Sequence, residues 1–110
     1  MLIIAVAIGI AIWATTRKHE EVKNDNFKIV TSFYPIYVMT ANITQNVPDV
    51  ELVNMTEANV GCLHDYTIST TDMKKIEKAD IYIQNGLGLE SFMNKIISAY
   101  PELKVIDTSA

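Results

Sequence analysis

The chain has 110 residues, with nine Lys or Arg against 13 Asp or Glu and a net charge of −4. That length holds one ordinary domain and not two, and an acidic balance with no basic stripe excludes nucleic acid as a partner. The single cysteine, Cys62, excludes an internal disulfide, a four-cysteine zinc cluster and a CxxC redox pair.

Residues 1–14 are apolar at every position except Gly9. As a helix the run spans about 20 Å, short of the ~30 Å hydrocarbon core of a bilayer and suited to the apolar region of a secretory signal peptide. Ala14 offers a small residue for cleavage, but no Lys or Arg precedes the run, and Arg17 and Lys18 follow it. A signal peptide, an uncleaved membrane anchor and a buried core helix therefore stand side by side as readings. The first two predict an extracytoplasmic protein that meets the membrane through this segment. No cysteine lies directly behind the run, so lipidation is not supported. Residues 15–26 carry six charges and one aliphatic side chain, Val22, and read as a solvated tether in which His19 has no role.

Residues 27–110 are the expected folded part. Residues 27–33 are β-rich. Pro35 suits the first turn of a helix, and Ile36, Met39, Ile43 and Val47 then recur at helical spacing until Pro48. Residues 50–55 predict a second strand and 56–68 a loop. Ser69-Thr70-Thr71-Asp72 fits a capping box, opening a helix with Met73, Ile76 and Ala79 on one face. Residues 81–84 predict a third strand, ended by Asn85-Gly86. Leu89, Phe92, Met93, Ile96, Ile97 and Tyr100 then give the clearest helical stripe, stopped by Pro101 before a fourth strand over 103–107. The order βαβαβαβ, with connections long enough for parallel neighbours, predicts an α/β parallel sheet with flanking helices. Ligands of such a sheet bind beyond the carboxyl ends of its strands.

Little of the sequence carries chemistry on its own. Gly86-Leu87-Gly88 lacks the third glycine of a dinucleotide loop and the Lys-Ser/Thr of a phosphate loop, so it reads as a tight strand-to-helix turn. Glu90 suits the first turn of its helix as a dipole-matched cap. No Ser/His/Asp set is compelling, because the folded part holds one histidine and no nucleophile motif. That histidine, His64, falls in the second β–α loop beside Cys62, Asp65 and Tyr66. A loop histidine is ordinarily solvated or structural, yet Cys62 and His64 form C-x-H, which supplies two metal ligands where a tetrahedral zinc site needs four.

The ordered set Ile29-Val-Thr-Ser-Phe-Tyr-Pro-Ile-Tyr37, His64-Asp65-Tyr66 with Ser69 behind it, Asp72, Ala79-Asp80 and Asn85-Gly86-Leu-Gly88-Leu-Glu90-Ser-Phe92 resembles the zinc/manganese solute-binding proteins of bacterial ABC importers. The likeness runs over roughly residues 27–109. It implies a two-lobed α/β receptor with a helical backbone, of which residues 27–110 form part of the first lobe. It further implies one Zn²⁺ or Mn²⁺ as the transported ligand, an ABC permease as partner, and a transport role without enzyme activity. The family's first metal ligand, the histidine of an H-x-Y motif after the second strand, carries over to His64. Tyr66 then supports the ligand from behind, Asp65 and Cys62 stand as supporting or further contacts, and Ser69 and Asp72 cap the following helix.

The chain also departs from the family pattern. Leu63 stands where the family commonly has proline. Cys62 is then either an extra soft ligand or a small buried side chain, the commoner role of a free cysteine. The family's second histidine and the His/Glu and Asp ligands of the other lobe have no counterpart in these residues. The alternative is a small membrane-tethered α/β domain, or an enzyme fragment, in which His64 is incidental.

Overall fold

The computed structural model describes residues 26–58 and 60–110. The 1–14 segment and nearly all of the 15–26 tether, His19 included, lie outside the described residues.

Four strands, β1 (Phe27–Thr31), β2 (Val50–Asn54), β3 (Ile81–Gln84) and β4 (Lys104–Asp107), form one parallel sheet in the order β2-β1-β3-β4. The connecting helices are α1 (Tyr34–Thr44), α2 (Thr70–Ile76) and α3 (Asn94–Ala99), with single 3-10 turns at Leu63–Asp65 and Ser91–Met93. This is the βαβαβαβ parallel sheet expected from the sequence.

Register assigns the two faces. Val30 pairs with Val53 and Tyr82, and Tyr82 with Val105, so these four side chains line one face. Ile76 and Met73 of α2, with Met93 and Ile96 behind β3, cover that face and complete the core. The other face carries Leu52, Ile29 and Ile81 in register, and α1 lies over its β1 and β2 portion. Right-handed crossovers explain the division: the step from β1 to β2 runs one way across the sheet, and the steps to β3 and β4 run the other.

Two elements differ from the sequence reading. On α1, only Ile36 of the predicted stripe is buried, whereas Met39, Ile43 and Val47 are exposed, Ile43 by 79%. The helix contacts the sheet through Ile36 and Thr40, whose hydroxyl is spent on the Ile36 carbonyl at 2.8 Å, and the apolar stripe faces away. The predicted helix over 89–100 instead begins as the Ser91–Met93 turn and becomes α-helical only at Asn94. Gly86, Leu87 and Gly88 hold φ of 87°, 54° and 80°, a left-handed run that delays the helix. Glycine accepts that region without strain. Leu87 does not, and it stands 88% exposed.

Candidate metal-binding site

All four strands point their carboxyl ends to one edge, where the β1–α1, β2–α2 and β3–α3 connections meet. The β2–α2 connection carries His64. It is anchored at both ends by the protein's own contacts. At its start, Lys75 Nζ donates to the Met55 carbonyl at 2.7 Å and lies 3.7 Å from Asp72 Oδ1. At its end the predicted capping box is complete: Ser69 Oγ accepts from the Asp72 N–H at 3.2 Å, and Asp72 Oδ2 accepts from the Ser69 N–H at 2.9 Å.

Between these anchors, Leu63 is buried and turns the Leu63–Asp65 segment so that His64 and Asp65 face solvent. Tyr66 closes the turn. Its N–H donates to the Leu63 carbonyl at 3.1 Å, and its hydroxyl donates to Asp72 Oδ2 at 2.8 Å. Its ring packs on Phe92 at a centroid distance of 5.2 Å, which joins the His64 turn to the β3–α3 connection. Burial, then the bond to Asp72 and that carboxylate's charge, push the Tyr66 hydroxyl up to about 12. Tyr66 is therefore a neutral donor throughout the working range.

Asp72 answers this arrangement. Burial pushes its carboxyl up, but the Ser69 N–H and hydroxyl, the Tyr66 hydroxyl and the Lys75 charge together hold it below its ordinary 3.8. A depressed folded value means that the stabilisation is fully present above the unfolded value and is lost as pH falls through the folded one. Stability should accordingly decline below about pH 4, and Asp72→Ala should remove part of that decline while costing about 2 kcal/mol at neutral pH. Urea unfolding at a series of pH values checks both. A variant as stable as the parent at neutral pH would deny Asp72 this role.

The β3–α3 connection is built on Glu90, which is only 3% exposed. Its Oε1 accepts from the Ser32 hydroxyl at 2.7 Å and from the Asn85 N–H at 2.8 Å, and its Oε2 accepts from the Gly86 N–H at 3.0 Å. The carboxylate thus turns back onto the loop that precedes it and clamps that loop to the end of β1. It does not cap the following helix, which corrects the sequence reading. Tyr82, fully buried beneath, holds its hydroxyl near Ser32 and Glu90 without a well-formed hydrogen bond. Burial, then the Glu90 charge, raise that hydroxyl.

The predicted site residues are brought together unevenly. Cys62 Sγ lies 3.4 Å from His64 Nδ1, and the cysteine is exposed, so the reading of Cys62 as a small buried side chain is wrong. It stands on the solvent side of a turn whose apolar anchor is the neighbouring Leu63. Tyr66 supports the turn through its N–H on the Leu63 carbonyl, and its hydroxyl on Asp72 ties the turn to the next helix. Asp65 is exposed. Among the described residues no three His, Cys, Asp or Glu side chains converge as a metal site; of the predicted site residues, only Cys62 and His64 are brought side by side. The Ser32–Glu90 contact was not foreseen: Glu90 was read as a helix cap, and Ser32 stood in the 29–37 motif without a role of its own.

Comparison with known proteins gives the lineage. The family described as zinc-uptake complex component A, periplasmic, matches residues 29–110. The zinc-binding protein AdcA of Streptococcus pyogenes is 29% identical over 93 residues, covering 84% of this chain and 18% of the relative. The high-affinity zinc uptake system protein ZnuA of Haemophilus ducreyi is 30% identical over 81 residues, covering 74% of this chain and 25% of the relative. The structure of the Mn-bound periplasmic metal binding protein from Candidatus Liberibacter asiaticus superposes with a TM-score of 0.63 at 30% identity, over 73% of this chain and 29% of that one. The chain thus spans less than a third of the length of these relatives. With the parallel sheet, the capped β2–α2 turn and a match that runs from β1 to the last residue, the chain belongs to the zinc-uptake component A family of periplasmic proteins.

Proposed function

We propose that this chain is the amino-terminal part of an extracytoplasmic receptor that captures Zn²⁺ or Mn²⁺ and delivers it to an ABC import permease, and that it is not an enzyme. In this reading residues 27–110 are part of the first lobe, residues 15–26 a tether, and residues 1–14 a signal peptide or anchor at the membrane. His64 is the first metal ligand, contributed by these residues. The observation that carries the proposal is the exposed His64 at the carboxyl edge of the sheet, on a turn fixed by Leu63 below and by Tyr66 on Asp72 and Phe92 behind. A ligand held on so constrained a turn loses little conformational freedom on binding, and a neutral imidazole suits these ions. The zinc and manganese in the names of the relatives support the same class of cargo.

The test is a zinc titration of the full chain in mild detergent. Binding should be weak, orders of magnitude below that of a site with three or four protein ligands. His64→Ala should abolish it while leaving the far-UV circular dichroism unchanged, because the side chain is exposed. Zinc binding that is indifferent to His64→Ala would overturn the proposal.

A further inference from the structure

We infer that Cys62 and His64 act together as a two-donor chelate, with Cys62 Sγ as a second ligand beside His64 Nδ1, so that this lobe selects a thiophilic ion, zinc rather than manganese. The inference rests on the reading of His64 as a metal ligand and goes beyond it in naming the second donor and the ion.

Geometry is the main support. A tetrahedral zinc with a Zn–S bond of about 2.3 Å and a Zn–N bond of about 2.0–2.1 Å holds its sulfur and nitrogen ligands about 3.5 Å apart. Cys62 Sγ and His64 Nδ1 stand 3.4 Å apart, in hydrogen-bond contact with each other, a contact that an ion seated between them would replace. The pair is therefore already at ligand-to-ligand separation, and an ion can be seated with little rearrangement of the turn. Both residues are exposed, which leaves the remaining coordination positions open to water or to ligands from elsewhere. The turn itself is anchored, because Leu63, between the two donors, is buried and is also the acceptor of the Tyr66 N–H.

The chemistry sets the preference. Thiolate donors favour zinc and its spectroscopic substitute cobalt, whereas manganese favours carboxylate, carbonyl and water oxygen. Binding replaces the Cys62 S–H bond with an S–metal bond and releases the proton to solvent, so uptake is accompanied by proton release and no oxidant or reductant is needed.

The experiment is a Co²⁺ titration of the full chain in mild detergent, with a phosphine reductant keeping the thiol free, followed by displacement with Zn²⁺ and, in parallel, with Mn²⁺. A near-ultraviolet thiolate-to-cobalt charge-transfer band should grow with cobalt and vanish in Cys62→Ser. That variant should also lose roughly tenfold or more in zinc affinity, with manganese affinity nearly unchanged. His64→Ala should lose the band as well, because neither donor alone holds the ion. If cobalt binds in a His64-dependent manner with no charge-transfer band, and Cys62→Ser binds zinc like the parent, the chelate is overturned while the receptor reading stands. A band that survives His64→Ala also overturns the chelate, and it removes the support for His64 as a ligand.

Discussion

Glu90→Ala is expected to lower folding stability by about 3–5 kcal/mol, since a buried donor left without its acceptor costs about 1–3 kcal/mol and three donors lose theirs here. The Glu90 carboxylate accepts three hydrogen bonds, from the Ser32 hydroxyl and from the N–H groups of Asn85 and Gly86. Alanine leaves all three donors facing a cavity at the junction of β1 and β3. Glu90→Gln should fall between the parent and Glu90→Ala, because its amide NH₂ takes the place of one oxygen and meets a donor where an acceptor is required. Urea unfolding of the three proteins gives the order. A Glu90→Ala variant within about 1 kcal/mol of the parent would show that water satisfies these donors as well as the carboxylate does. The effect should also reach the His64 turn, since Phe92, two residues past Glu90, carries the ring on which Tyr66 rests. Near-ultraviolet circular dichroism of Tyr66 and its neighbours reports that loosening.

What the sequence made legible follows the range over which each interaction acts. The Ser69–Asp72 capping box is visible because both partners and both backbone groups lie within one helical turn. The parallel sheet is visible because alternating element types leave few other topologies. Glu90 was misread because its main partner, Ser32, lies 58 residues away and the backbone that turns its carboxylate backwards is left-handed at three successive positions. The α1 stripe shows a different limit. Ile36, Met39, Ile43 and Val47 recur at helical spacing, but periodicity records that a helix has an apolar face and not which neighbour covers it. In the described residues the sheet takes Ile36 alone. Cys62 failed for the opposite reason: free cysteines are usually buried, and here the burial that holds the turn goes to Leu63. His64 was legible as a residue type in a motif, while its distance from Cys62 required coordinates.

Gly86→Ala is the second large effect expected, and it separates two penalties that the turn superimposes. Gly86 sits at φ 87°, where an L-residue pays about 1–2 kcal/mol for the contact of its Cβ with the following carbonyl. In addition, a Cβ at this position would run into the carboxylate of Asp107 and the hydroxyl of Ser109. That carboxylate is held by the Ser109 N–H at 2.9 Å and by Gln84 Nε2 at 3.2 Å, so moving it disrupts the end of β4. The total should therefore exceed the backbone term alone, reaching about 2–4 kcal/mol for the single variant. Pairing Gly86→Ala with Asp107→Ala in a double-mutant cycle removes the Asp107 part of the clash and leaves the conformational part and the Ser109 hydroxyl, so the double variant should lose less than the sum of the two singles. Strict additivity would show that the side chain of Asp107 moves aside freely and that the left-handed backbone accounts for the whole loss. Because Glu90 accepts the Gly86 N–H, the same cycle with Glu90→Gln should be strongly non-additive. Once the alanine has displaced that N–H, the carboxylate has one partner fewer to lose, and the clamp between β1 and β3 is weakened from either side by the same step.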